Sequence, residues 1–442
     1  MMKVLVIGGG AREHTICEAV KRSDAELYSI MKNLNPGIRR IARDFYLHDE
    51  TDVEKVTEYA VSKNIDLAIV GPEAPEEAGI TNALREKGIA VASPSKEAAE
   101  IETNKEFMRS LMERHGIIGT LKSRAFSDVR EAKKFIEMMD GEVAVKPVGL
   151  TGGKGVKVAG DHFGNIEEAV KYAEEVITKK IGGEARVLIE EKAVGEEFTI
   201  QAFCDGSTII PTPAVQDHKR LLPGDDGPNT GGMGSYSDAS GLLPFMDRND
   251  YEEAVSILQG IVEAMGREGR DYRGVIYGQF MLTGEGPKVI EINARWGDPE
   301  AMNILPLLKA DFVDICMAMV EGKLSRKRVG FERKSTVCKY VVPEGYGTNP
   351  MANKEIFVDE NAIKKEGGQL FYASVNERDG KIYTTRSRSL AVVGIADRIE
   401  EAEKICEKCL EHVKGEHIFI RHDIGKKELI QKRIDHMAML RG

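Results

Sequence analysis

The chain has 442 residues, of which 42% are hydrophobic and 30% charged, and its 62 Lys+Arg against 72 Asp+Glu leave a formal charge of −10. That balance describes a multidomain globular protein of about three domains and excludes a fibre, a disordered tail and a disulfide-framed mini-protein. A net-acidic chain matches nucleic acid or an anionic membrane poorly, the apolar run at 4–7 is too short for a signal or a span, and six cysteines read as reduced thiols, so a cytoplasmic enzyme is expected.

Residues 3–7 predict a buried strand, followed by Gly8-Gly9-Gly10 and a helix carrying Ile16, Ala19 and Val20. Further strands at Leu67–Val70 and 89–92 end at Gly71-Pro72-Glu73 and Ser93-Pro94. Strands alternating with helices predict an open parallel sheet with ligands at the carboxyl ends of its strands. Thr103 reads as the N-cap of a helix running towards Gly116, and a second unit leads to a strand at 143–146. Between Asp205 and Gly241 glycine, proline and aspartate accumulate, so a long loop rather than a sheet is expected there. Residues 273–293 read as a hairpin turning at 284–287, and the basic run Ser325-Arg326-Lys327-Arg328 marks a boundary. A final α+β segment contains a strand at 389–393 and an amphipathic helix at 399–413. In that helix Cys406 and Cys409 have CxxC spacing without a second pair, which favours core packing over a metal or redox site.

Gly8-Gly9-Gly10-Ala11-Arg12-Glu13 lies between a strand and a helix, where backbone amides and the helix dipole favour an anion. A dinucleotide fingerprint wants Gly or Ala where Glu13 stands and an acidic residue ending the second strand, which runs instead into Ile30-Met31-Lys32. A bare tight turn is the plain alternative, and a phosphorylated small molecule is the favoured reading. The second glycine loop, Gly149-Leu150-Thr151-Gly152-Gly153-Lys154-Gly155-Val156, is not a Walker A motif, because Gly155 takes the Ser/Thr position. It follows a strand presenting Lys146. Lys146 and Lys154 around a closing loop suit the β- and γ-phosphates of ATP, with a surface hairpin as the alternative.

In Val289-Ile290-Glu291-Ile292-Asn293, period-two alternation puts Glu291 and Asn293 on one face and Ile290 and Ile292 on the other. On the preceding strand Gln279 stands beside Phe280 and Met281 and wants a polar partner. Carboxylate and amide oxygens are the hard ligands Mg²⁺ prefers, although a solvated face with carboxylate–arginine pairing would use the same residues.

Lys146, the loop with Lys154, the segment Glu190-Glu191-Lys192-Ala193-Val194-Gly195-Glu196-Glu197 and Glu291-Ile292-Asn293 together resemble the ATP-grasp fold. That fold clamps ATP between two α+β subdomains, and most members join a carboxylate to an amine through an acyl phosphate. Gln216-Asp217-His218-Lys219-Arg220, Gly227-Pro228-Asn229-Thr230-Gly231-Gly232-Met233-Gly234, Gly71-Pro72-Glu73-Ala74-Pro75 and Arg295-Trp296-Gly297-Asp298-Pro299-Glu300 further resemble the phosphoribosylamine–glycine ligase family, from Val4 to about Gly345 and more loosely to the end.

The resemblance implies an α/β and α+β multidomain fold: an N-terminal open parallel-sheet domain at 1–102, an ATP-grasp core at 103–325 with a lid subdomain at about 122–195, and a small C-terminal α+β domain at 326–442. It implies phosphate contacts from Lys105, Lys146 and Lys154 with Gly152 and Gly153, and an adenine hinge at Glu190, Glu191, Lys192 and Ala193. Glu197 would hold the ribose, with Glu196 the adjacent possibility. Gln279, Glu291 and Asn293 would hold Mg²⁺ or Mn²⁺. Glycine and 5-phosphoribosylamine would meet Asp217, Lys219, Arg220 and Arg295, helped by Gly10, Arg12, Glu13 and Glu73. Lys146, Lys154, Arg295 and Asp217 would carry the catalysis, and His218 would either hold its loop or join the chemistry. The implied reaction belongs to purine biosynthesis and runs through glycyl phosphate. The implied enzyme is a cytoplasmic monomer or weak homo-oligomer with no nucleic-acid or membrane partner.

The chain departs from the family pattern at Ala11, at Asn35-Pro36-Gly37-Ile38, at Ile118 and at Thr385-Arg386-Ser387-Arg388. A purine or biotin carboxylase and a non-catalytic nucleotide sensor are the rival readings. The Gln216–Arg220 loop speaks against the first and the intact Lys146, Lys154, Glu291 and Asn293 against the second.

Overall fold

The computed structural model describes residues 1–151 and 155–442, so the expectations for Gly152, Gly153 and Lys154 lie outside the described residues. In the strand Met2–Ile7, Val4 and Val6 enter one core and Leu5 and Ile7 another, all fully buried. A strand apolar on both sides needs cover on both faces. Helix Ala11–Lys21 packs on one, and helices Val53–Lys63 and Ile80–Glu86 on the other. The expected parallel sheet is present, in the order Asp44–Leu47, Ala25–Met31, Met2–Ile7, Leu67–Val70, Ala90–Val91. Strand order reverses at Met2–Ile7. The turns after that strand and after Leu67–Val70 therefore open onto one crevice, where doubly wound sheets take their ligands.

Thr103 is not an N-cap. It ends helix Lys96–Thr103, and Asn104 caps Lys105–Arg114, its side chain accepting from the Phe107 amide at 3.0 Å. Asn104 has extended backbone at φ −134°, which stops one helix and frees its amide oxygen to start the next.

A second sheet is antiparallel, in the order Ser123–Phe126, Val187–Glu191, Val143–Pro147, Lys157–Val158, and is covered by helices Val129–Met138 and Ile166–Lys179. Residues 192–195 lead from it into a third sheet, ordered Ile209–Pro211, Glu196–Asp205, Arg273–Thr283, Gly286–Asn293, against helix Arg248–Arg267. The last two strands are the expected hairpin. Its alternation differs in one place: Gln279 pairs with Glu291 but Phe280 with Val289, so Ile290 is an extra, bulged residue. Val289 and Ile292 therefore share the core, and Ile290 is half-buried outside it.

The stretch between Asp205 and Gly241 is strand-bearing, contrary to expectation. Gln216–Asp217 and Gly234–Ser237 extend a sheet built on Ser335–Pro343, Leu390–Ala396, Gln369–Tyr372 and Ile418–Ile420. The partner strand Ser335–Pro343 is buried at every position and lies about a hundred residues away, so local composition carried no sign of it. Gly234, at φ +151°, allows the approach, since a Cβ there would overlap the Cys338 carbonyl. The helix expected at 399–413 ends at Leu410, and Val413 begins the short strand Val413–Lys414. Cys406 and Cys409 pack in the core as free thiols. Among the described residues no helix is long and apolar enough to cross a membrane.

Candidate active site

In the crevice of the parallel sheet the turn Gly8–Gly10 already has an anion. Glu13, the third residue of its helix, folds back so that its carboxylate accepts from the Gly10 amide at 2.7 Å and from Arg12 Nε at 2.6 Å. A Cβ on Gly71, on the facing turn, would overlap this carboxylate. The helix N-terminus expected to meet a phosphate is thus satisfied by the chain's own side chain. Arg12 Nη1 donates to the Trp296 carbonyl at 3.2 Å.

Glu73 stands 3.4 Å from Arg295 Nε. Burial alone would push its carboxyl up, but Arg295 and Arg12 hold it down at about 2. Arg295 Nη2 pairs with Glu102 Oε1 at 3.1 Å, while Glu102 Oε2 accepts from the Ala294 amide at 2.6 Å. Burial pushes Glu102 up to about 7. Beside it, Glu76 is 1% exposed with neither carboxyl oxygen partnered, and burial followed by the charge of Glu102 drives its pKa well up.

On the hairpin sheet, Glu197, Gln279, Glu291 and Asn293 come together on one face. Gln279 Nε2 donates to Glu197 Oε2 at 2.9 Å, and Lys219 Nζ donates to Gln279 Oε1 at 2.5 Å. Glu196, one residue earlier, points the other way, to Arg433 and His436. Burial works against ionisation of Glu291, and Lys219, Lys105 and Lys146 outweigh it, so its pKa is lowered and it stays a carboxylate. Asn293 Oδ1 accepts from Arg295 Nη2 at 3.2 Å. Among the described residues no three His, Cys, Asp or Glu side chains cluster as metal ligands. The donor set is one ionised carboxylate with amide oxygens, which fits a hard divalent cation. Glu291 fits it directly, whereas the Asn293 oxygen is engaged by Arg295 and the Gln279 oxygen by Lys219.

Lys146 and the hinge are more closely paired than the sequence implied. Glu190 is 1% exposed, and its carboxylate takes Arg109 Nε at 2.6 Å and Lys146 Nζ at 2.5 Å. Burial would raise Glu190; the two cations lower it to about 2. Arg109 also donates to the Val289 carbonyl at 2.8 Å, joining the second sheet to the hairpin. Glu191 accepts from the Lys122 amide at 2.9 Å, Lys192 pairs with Glu142 at 3.2 Å, and Ala193 is half-buried in the connection. Lys105 Nζ donates to the Gly149 carbonyl at 2.8 Å, at the foot of the glycine loop. Lys105, Thr151, Glu291, Asn293, Arg295 and Glu73 line one cavity of about 90 Å³.

Asp217, like Glu76, falls outside this pairing: its Oδ1 is buried without a partner. Burial, then the charge of Glu300, pushes its carboxyl well up, against Lys219 and Arg388. Glu300 accepts from the Tyr277 hydroxyl at 2.8 Å. Arg220 turns towards the second sheet's unit and pairs with Asp161 at 2.6 Å. His218 is buried behind the loop with Nδ1 3.3 Å from Asp225, and burial lowers its pKa.

Models of the phosphoribosylglycinamide synthetase N domain, ATP-grasp (A) domain and C domain match residues 2–102, 103–301 and 336–427. The chain belongs to the phosphoribosylglycinamide synthetase family. It is 53% identical to a phosphoribosylamine–glycine ligase of Methanothermobacter thermautotrophicus over 440 residues and 53% identical to one of Methanocaldococcus jannaschii over 445, in both cases with 100% of each chain covered. The crystal structure of a phosphoribosylamine–glycine ligase from Thermotoga maritima superposes with a TM-score of 0.82 at 28% identity, covering 96% of this chain and 100% of that one. A biotin carboxylase–ATP complex from Campylobacter jejuni shares the fold at TM-score 0.75 and 13% identity, covering 99% and 98%.

Within this phosphoribosylglycinamide synthetase framework four residues escaped the sequence reading as functional neighbours: Glu102, Arg109, Glu300 and Arg388. Glu102 lies in a helix with Ala98, Ala99 and Ile101, and Arg109 between Met108 and Leu111, all buried, so a charge among apolar neighbours was the available sign. Arg388 donates to the Gly231 carbonyl at 2.6 Å and pairs with Asp298 at 3.1 Å, a contact invisible without the tertiary fold. A larger cavity of about 430 Å³ lies between His14, Arg40 and Tyr372, away from these residues. Its arginines are engaged, Arg40 by Glu360 and Arg22 by the Leu305 carbonyl, and Lys364 is the further cation in its lining.

Proposed function

We propose that this protein joins glycine to 5-phosphoribosylamine with ATP as co-substrate, giving glycinamide ribonucleotide, ADP and phosphate. The observation that carries the reading is Asp217: a buried carboxyl with an unpartnered oxygen, next to Glu300 and Lys219, suits a small zwitterion. The carboxyls of Asp217 and Glu300 would take the glycine ammonium, and Lys219 would draw its carboxylate towards the nucleotide.

In the first step a glycine carboxylate oxygen attacks the γ-phosphorus of ATP, the bond to the β,γ-bridging oxygen breaks, and ADP leaves. Lys105, Lys146 and Lys154 offset charge as an anion approaches a triphosphate, a task of positioning and electrostatics more than of proton transfer. Residues 190–193 would hold the adenine and Glu197 the ribose. In the second step the phosphoribosylamine nitrogen attacks the acyl carbon of glycyl phosphate, phosphate departs, and the nitrogen gives up a proton. Arg295, fixed by Glu73 and Glu102, would steady the acyl phosphate, and Arg220 would follow the lid. Gly10, Arg12, Glu13 and Glu73 face this second substrate, and the two carboxylates suit its ribose hydroxyls. Mg²⁺ or Mn²⁺, held by Glu291 with Asn293 and Gln279 once their oxygens turn from Arg295 and Lys219, would neutralise and polarise the phosphoryl group. Water must be kept from glycyl phosphate, which gives the glycine loop and the unit at about 122–195 the role of a lid on the 103–325 core. The units 1–102 and 326–442 would complete the site in a cytoplasmic monomer or weak homo-oligomer.

The test is ADP release that depends on both glycine and phosphoribosylamine. ADP formed equally well with bicarbonate or biotin, and indifferent to glycine, would end the reading.

A further inference from the structure

Helix Lys427–Arg441 lies beyond the residues matched by the family's C-domain model, apart from its first residue. From this helix Arg433 reaches carboxylates on two different elements. Its Nη2 donates to Asp225 Oδ2, and its Nε stands 3.1 Å from Glu196 Oε2, whose other oxygen meets His436 Nδ1 at 2.6 Å. Arg433 is 15% and Glu196 6% exposed at the side chain, so water screens the pairing weakly.

Each carboxylate stands behind a residue of the site. Glu196 precedes Glu197 on the same strand, and the alternation that sends Glu196 to the helix sends Glu197 to Gln279. Asp225 pairs with His218, which lies between Asp217 and Lys219. Asp225 has left-handed backbone at φ +63°, a conformation that its surroundings must hold. Arg421, fully buried, helps to hold it: it pairs with Asp225 at 3.0 Å, donates to the Arg220 carbonyl at 3.0 Å, and binds Asp423, which accepts from the Gly224 amide at 2.8 Å.

We propose that Arg433 is a positioning residue that ties the strand carrying Glu197 to the loop carrying Asp217 and Lys219, and so sets the nucleotide side of the site against the amino-acid side. The proposal rests on the functional reading above. A guanidinium suits the task because its planar fork holds several donors in a fixed geometry between the two carboxylates, whereas an ammonium is a compact point charge on a flexible stem.

Steady-state kinetics of the full chain test it. Arg433→Met is expected to raise KM for glycine and for ATP about tenfold each, with kcat within about threefold of the parent. Arg433→Lys keeps one of the two pairs and should return one KM towards the parent value. Asp225→Asn should raise KM for glycine alone and Glu196→Gln KM for ATP alone. The proposal is overturned if Arg433→Met lowers the melting temperature yet leaves both KM values within about twofold. It is equally overturned if Asp225→Asn and Glu196→Gln shift both KM values together, which is the mark of a loosened fold. Should Arg433→Met not fold, the split between those two variants decides. A parent enzyme whose ADP release ignores glycine fails the functional reading, before any variant is made.

Discussion

The Glu190 cluster and the Asp217 cluster are both buried and both charged, and they differ in how far their partners satisfy them. At Glu190 one carboxylate takes two cations, Arg109 and Lys146, and ends with its pKa held down at about 2. At Asp217 burial and a second carboxyl prevail, its pKa goes up, and one oxygen has no partner. A closed network holds elements together, whereas an open one waits for a group that is not part of the chain. On the proposed function, the nucleotide side of the site would be prebuilt at the Glu190 carboxylate, with Arg109 Nη1 alone left without a partner there, and the amino-acid side would be completed by its substrate.

Four substitutions break or sharpen that contrast. Glu291→Ala removes the ionised carboxylate between the two clusters. Turnover should fall about a thousandfold, roughly 4 kcal/mol, with the melting curve little changed. Near-normal activity in a coupled ADP assay would remove the metal role of this face.

Glu190→Gln leaves Arg109 and Lys146 buried without their counter-charge and should cost about 3 kcal/mol of stability in denaturant unfolding at pH 7. Because the folded pKa of Glu190 is depressed, its contribution is fully present above about 4.5 and is lost as pH falls towards about 2. The gap between parent and variant should therefore narrow over that interval. A gap independent of pH would mean that the cluster is not acting through its charge.

Asp217→Asn should lower kcat/KM for glycine about thirtyfold, about 2 kcal/mol, without loss of stability. A variant that melts lower and retains its affinity for glycine would make Asp217 part of the closed kind of network.

The smallest effect is expected at Glu76, which has no partner in either state. Its folded pKa is raised, so the folded protein keeps a proton that the unfolded chain releases near 4.5, and stability falls as pH rises above that value. Glu76→Leu should gain about 1 kcal/mol at pH 8 and little below pH 4.5, read from paired melting curves. A loss at pH 8 would point to a hidden partner for Glu76.

Much of the fold was legible because its signals are local. The apolar run at 3–7, the glycine turn after it and the alternation at 289–293 report their own secondary structure and place Glu291 beside Asn293. The bulge at Ile290 was not legible, since it depends on register with Phe280 in a partner strand. Composition misled between Asp205 and Gly241, where the strand Gly234–Ser237 takes hydrogen bonds from the distant Ser335–Pro343 and in turn pairs with Gln216–Asp217. The occupant of the first glycine turn was also hidden. A phosphorylated ligand was expected there, whereas the Gly10 amide is taken by the carboxylate of Glu13, an outcome that depends on how the helix turns back.

By itself the sequence determined which chemical groups are available: the lysines, the Glu291–Asn293 pair, the Asp217 loop and the alternating strands that present them. Periodicity and residue type act over a few positions, and they carry that information directly. Only the tertiary structure decided which charges neutralise one another and which stay open. That outcome depends on burial and on partners far apart in the chain, such as Arg109 with Glu190, Arg295 with Glu102, and Arg433 with Asp225 and Glu196. Electrostatic strength rises where water is excluded, and water is excluded only once the chain has folded.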